Sequence, residues 1–105
     1  MKMIHFTYEG KNYDLGYTRK TIQMMENAGF VIGDIEKKPM ILLPQLFAGA
    51  FLLNHKHEDQ KVIDRIFESI SDKDGLMSTL IDLYNEPLKA MFAEPKEGNV
   101  SWTVS

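Results

Sequence analysis

Ile4, Phe6 and Tyr8 alternate with His5, Thr7 and Glu9, and beyond Gly10 the alternation resumes as Tyr13, Leu15 and Tyr17 against Asn12, Asp14 and Gly16. A period of two places one set of side chains on one face of a strand, so residues 3–17 read as a β-hairpin turning at Glu9 to Asn12. An isolated hairpin is marginal in water, and helices are expected to cover its apolar face.

From residue 18 to about 93 the spacing becomes helical. Thr18 is the expected N-cap of a helix through Asn27, with Ile22 and Met25 one turn apart and Gly29 where a left-handed C-cap falls. The polar stretch from Gly33 to Lys38 reads as a connection. The run from Pro39 to about His55 is apolar on every face, through Leu42, Leu46, Gly49 and Leu53, through Leu43, Phe47 and Ala50, and through Ala48, Phe51 and Leu52. Prolines suit a first helical turn, so its helix starts at either Pro39 or Pro44. A helix apolar all round must be covered all round, which predicts a central helix or one with a face on another chain. A third helix, about Glu58 to Ser71, carries Val62, Ile63, Ile66, Phe67 and Ile70 on one face. A fourth follows Asp74 as cap, with Leu76, Met77, Leu80, Ile81, Tyr84, Leu88, Met91 and Phe92 in helical spacing and Pro87 expected to kink or split it.

After Pro95 the chain is polar until Val100, Trp102 and Val104 alternate with Ser101 and Thr103. Residues 94–105 read either as a third strand beside the hairpin or as a tail that orders on a partner. The expected architecture is therefore α+β, mainly α: one domain spanning residues 1–105, with an N-terminal hairpin packed on about four helices around a central apolar one.

A length of 105 residues allows a single core and little more. Twelve Lys and Arg against 15 Asp and Glu leave a formal charge of -3, without the summed positive field that drives binding to nucleic acid. Arg19 with Lys20 and Lys37 with Lys38 offer at most one small basic patch. The absence of cysteine excludes disulfides, thiolate metal ligands and thiol nucleophiles. Residues 1–10 hold no apolar signal-like run, and the apolar run from Met40 to Leu53, broken by Pro44 and Gln45, is too short to cross a bilayer. The expected compartment is the cytoplasm, with no membrane partner.

Candidate chemistry is sparse. His55 and His57 with Glu58 and Asp59 invite a metal, but helical residues two apart point roughly 200° away from each other. A helix end is the better account of the pair. Ser71 to Gly75 echoes part of a calcium loop, yet the first and last ligand positions fall on Ile70 and Ile81. Asp82 and Glu86 lie one turn apart and read as a solvated helix face. No nucleophile elbow or phosphate-binding glycine loop is present, so no catalytic residue, metal or cofactor is expected. The surplus is apolar: the Met40 to Leu53 run and seven methionines supply adaptable hydrophobic surface. It serves either as core or as an interface for self-association or another protein's helix.

Phe6-Thr-Tyr-Glu-Gly-Lys, Tyr17-Thr-Arg-Lys-Thr, Met25-Glu-Asn-Ala-Gly-Phe, Lys38-Pro-Met, Leu46-Phe-Ala-Gly-Ala-Phe, Asn54-His-Lys, Tyr84-Asn-Glu-Pro-Leu and Asn99-Val-Ser-Trp together resemble a family of small proteins from siphophages and prophages of Gram-positive bacteria. That family is similar to phage tail assembly chaperones, and the similarity spans about residues 4–102. The resemblance implies a non-catalytic cytoplasmic assembly factor that coats the tape-measure protein and helps recruit tail-tube subunits. A small phage structural or adaptor protein is the first alternative and a DNA-binding regulator the second. Leu46, Phe47, Ala50 and Phe51, with Trp102, are the residues expected to contribute to self-association or client binding.

Overall fold

The computed structural model describes residues 1–93, 100 and 102–104. It is an α+β, mainly helical fold, with two strands, β1 (Ile4–Tyr8) and β2 (Lys11–Leu15), followed by four helices, α1 (Arg19–Asn27), α2 (Pro39–Gly49), α3 (Gln60–Ser69) and α4 (Lys73–Phe92). Part of the expected tail or third strand, residues 94–99, 101 and 105, lies outside the described residues. Val100, Trp102 and Val104 belong to no strand, and among the described residues the sheet contains β1 and β2 alone.

The hairpin closes more tightly than its spacing indicates. Tyr8 pairs with Lys11, leaving Glu9 and Gly10 as a two-residue loop with φ of 49° and 79°. Two positive φ values define the turn whose twist matches a right-handed hairpin, and glycine takes the second at no steric cost. The register then sets Ile4 opposite Leu15 and Phe6 opposite Tyr13, whose rings stack at 5.2 Å. Tyr13, Leu15 and Tyr17 are buried under the helices, while Ile4, Phe6 and Tyr8 are half-buried.

Thr18 caps α1 as expected. Its hydroxyl accepts from the Thr21 N–H at 3.2 Å while Thr21 Oγ1 accepts from the Thr18 N–H at 2.9 Å, a reciprocal box built from two threonines. Gly29 follows with φ 99°, ending the helix in the left-handed region. The connection to α2 contains one short 3-10 turn, Ile32–Asp34.

Helix α2 starts at Pro39, at its first position, and keeps Pro44 inside. The hydrogen bond that Pro44 cannot make would go to the carbonyl of Met40, a residue 89% exposed, so the cost of losing it is small. The helix stops at Gly49 rather than near His55, and tertiary partners bond to carbonyls at its end. The Tyr17 hydroxyl donates to the Leu46 carbonyl at 2.6 Å and the Gly16 N–H to the Ala50 carbonyl at 3.2 Å. Beyond that point the Phe51 and Leu52 N–H groups bond to the Ala48 and Gly49 carbonyls, a tightened three-residue winding.

Helix α3 is capped by Asp59, whose carboxylate accepts from the Lys61 N–H at 2.9 Å. Helix α4 is capped by Asp72 rather than Asp74, with Oδ1 accepting from the Gly75 N–H at 2.9 Å. The loop that echoed a calcium site is therefore a helix cap. Pro87 does not split α4, which runs for 20 residues, about 30 Å. Helix α2 is central, packing against α1, α3 and α4.

The core is aromatic where these elements meet. Tyr17 and Tyr84 meet edge to face at 5.3 Å, with Phe30 against Tyr84 at 5.7 Å. Burial pushes the Tyr84 hydroxyl up to about 12 and the Tyr17 hydroxyl well above its ordinary value. An unfolded tyrosine ionises near pH 10. Above that value the unfolded chain releases protons that the folded chain keeps, so stability is full below pH 10 and falls as pH rises toward 12. Lys11, held above its usual value by its hydrogen bond to Glu58, contributes in the same direction. The denaturant midpoint is expected to drop through this range. A flat midpoint would mean that the tyrosines ionise without opening the core.

Candidate functional site

Helix α2 resolves into two kinds of surface. Leu46, Phe47, Ala50 and Phe51 are exposed by 0, 1, 0 and 1%. Phe47 meets Phe51 edge to face at 5.2 Å and Phe67 of α3 at 5.5 Å, while Phe51 meets Tyr13 of β2 at 5.7 Å. These four side chains, expected from the sequence to face a partner, hold the domain's own elements together, because the hairpin, α3 and α4 close over them. Trp102, the fifth, is 80% exposed. The structure thus separates it from the other four.

The covering of α2 is incomplete. Ile41 and Gln45 are exposed and Ala48 half-buried, at steps of four and three residues that keep them on one stripe of the helix, and Leu52 in the turn beyond it is half-buried as well. Gln45, Ala48 and Leu52 form one wall of a cleft of about 450 Å³. Met24 and Met25 of α1, with Ala28 and Phe30 just beyond it, form the facing wall, which Ile63 of α3 also lines. Its floor is Gly49, where the absence of a side chain lets Met25 lie directly on the helix backbone.

The polar rim comes from the segment between α2 and α3, with His55, Lys56, Glu58 and Gln60. Two of these are fixed by the hairpin. His55 Nε2 accepts from the Asp14 N–H at 3.0 Å while its ring lies 4.9 Å from the Tyr13 ring. Glu58 accepts from Lys11 Nζ at 2.6 Å, and that ammonium also sits 5.2 Å from the centre of the Tyr13 ring. His55 is thus a hydrogen-bond acceptor joining β2 to the segment that follows α2, and it lies beyond the helix end where the sequence placed it. Among the described residues no group of three or more His, Asp or Glu side chains is placed to hold a metal ion. Asp82 and Glu86 are exposed on α4, and Arg19, Lys20, Lys37 and Lys38 are exposed at the starts of α1 and α2. No helix among the described residues is long and apolar enough to cross a membrane.

The arrangement offers a shallow apolar channel with adaptable methionines on one wall and polar, charged groups along one side, suited to an apolar side chain or one face of a helix. Met24 and Ala28 were not singled out by sequence reasoning, and Ala48 and Leu52 were read as one apolar stripe among three. The signal that marks the open side is Gln45, the lone amide in an otherwise apolar helix, one turn from both Ile41 and Ala48.

Hairpin, helices and cleft define a small, mainly helical α+β domain. The chain matches over residues 1–105 the family described as Domain of unknown function (DUF5055), and it belongs to that family. No curated protein and no solved structure matches it.

Proposed function

We propose that this protein is a non-catalytic assembly chaperone, resembling those of siphophage tails, that binds the tape-measure protein and assists tail-tube assembly. The observation that supports it most is the cleft between α1 and the open stripe of α2, whose Met24, Ala48 and Leu52 present apolar surface beside the Lys56 and Glu58 rim. An elongated helical client repeats apolar residues every third and fourth position, and a channel with one apolar wall on each side takes such a face. Leu46, Phe47, Ala50 and Phe51 serve by fixing the cleft's walls from beneath.

Co-expression with the tape-measure protein of the same genome tests this reading. The expected result is co-purification, with the client soluble only when this protein is present. Leu52→Glu and Met24→Glu, both at half-buried positions on the cleft, should each weaken capture about tenfold or more while leaving the melting transition cooperative. A folded wild-type protein beside an insoluble client would sink the chaperone reading and favour a structural or adaptor component of the tail.

A further inference from the structure

The outer edges of the two strands differ. In a hairpin with a two-residue turn, alternate residues point their backbone groups away from the partner strand, here Asn12 and Asp14 on β2 and His5 and Thr7 on β1. On β2 the groups of Asp14 are taken, which closes that edge beyond Asn12. The Asp14 N–H donates to His55 Nε2 at 3.0 Å, Asn54 Nδ2 donates to the Asp14 carbonyl at 3.2 Å, and just past the strand the Gly16 N–H donates to the Ala50 carbonyl at 3.2 Å. On β1 the outward N–H and C=O groups of His5 and Thr7 meet no partner among the described residues. Burial follows the same asymmetry, since Tyr13 and Leu15 are covered while Ile4, Phe6 and Tyr8 stay half-open.

The same chain carries a segment with matching periodicity. Val100, Trp102 and Val104 alternate with Ser101 and Thr103, and they are 88, 80 and 85% exposed and in no strand. We propose that residues 100–104 of one copy add to the outer edge of β1 in a second copy, setting Val100, Trp102 and Val104 beside Ile4, Phe6 and Tyr8. One molecule then holds both a free edge and a free strand, and two copies satisfy each other by exchange around a twofold axis. The area is sufficient. A buried tryptophan removes about 150–250 Å² from water, and two reciprocal insertions with their valines and covered surfaces bury on the order of 1,500 Å², within the range of a specific pair. Backbone hydrogen bonds to His5 and Thr7 give affinity, and Trp102 fixes the register. This assignment is independent of the chaperone reading.

The test is light scattering on the full chain between about 2 µM and about 200 µM, with amide exchange followed at His5 and Thr7. A dimer at the higher concentration is expected, with both amides protected. Trp102→Pro, at an exposed position outside the fold, should weaken it at least tenfold while leaving the circular dichroism of the domain unchanged. Thr7→Pro, which removes an outward N–H not used within the hairpin, should weaken it likewise. Mixing these two variants should restore partial association, because each supplies what the other lacks, and failure of the mixture to associate overturns the proposal. A monomer with freely exchanging amides overturns it, and so does a monomer with protected amides, in which the chain's own segment closes its edge. A dimer that survives both variants also overturns it.

Discussion

Phe47→Asp is expected to leave no folded domain at room temperature. Phe47 is 1% exposed, and its ring bridges Phe51 on its own chain segment to Phe67 of α3. Removing a buried phenylalanine ring typically costs about 3–5 kcal/mol, and the unpaired carboxylate put in its place adds several more or must take up a proton. Small domains hold only about 5–15 kcal/mol in total. Phe47→Leu keeps most of the apolar volume and should cost about 1–2 kcal/mol. Far-ultraviolet circular dichroism and thermal melts of the pair decide the matter. A soluble Phe47→Asp protein with a cooperative melt near that of the wild type would show that this side chain faces outward in solution, and would return it to the partner surface the sequence indicated.

Features set by neighbours in sequence were legible before the structure. The hairpin followed from strict alternation, and α1 from Thr18 at one end and Gly29 at the other, because each depends on residues within one turn. What the sequence left open depends on distant contacts. Helix α2 ends at Gly49, where Tyr17 and Gly16 bond to the Leu46 and Ala50 carbonyls, partners about 30 residues away that no local propensity records. Asp72 caps α4 in place of Asp74 because Gly75 lets the carboxylate tuck against the backbone, its oxygens 2.2–3.1 Å from where a Cβ would stand. Spacing disfavoured a metal at His55 and His57 and placed them at a helix end, but the partner His55 takes, the N–H of Asp14, could not be foreseen from it.

The candidate site was legible in part for the same reason. The surplus apolar helix was evident from composition. Which of its faces the rest of the chain would leave open was not, since all three apolar stripes score alike when neighbours are unknown. Covering by the hairpin, α3 and α4 selects Leu46, Phe47, Ala50 and Phe51 for the core, and the remaining line through Ile41, Gln45, Ala48 and Leu52 is what stays available.

Gly49 joins this packing to the cleft, and Gly49→Ala is expected to destabilise the domain by about 1–3 kcal/mol, against the usual gain for that change in a helix. A Cβ there would lie 2.3 Å from Met25 Cε, 2.4 Å from Sδ and 3.1 Å from Cγ. Met25 is 6% exposed, so its flexible end can escape only by turning into the cleft it lines. Two consequences follow from that one movement. The variant loses stability through lost contacts of Met25 with the core, and the cleft narrows, so that capture of an apolar client should fall more than the stability loss accounts for. Met25→Ala separates the causes. Alone it leaves a cavity and costs about 2–5 kcal/mol. In that background Gly49→Ala meets no methionine, and the sign should reverse to a gain of about 0.5–1 kcal/mol from helix propensity. Chemical denaturation of the two single variants and the double variant measures the coupling directly. Additive losses would mean that Met25 does not rest on Gly49, and the floor of the cleft would then have to be built from other side chains.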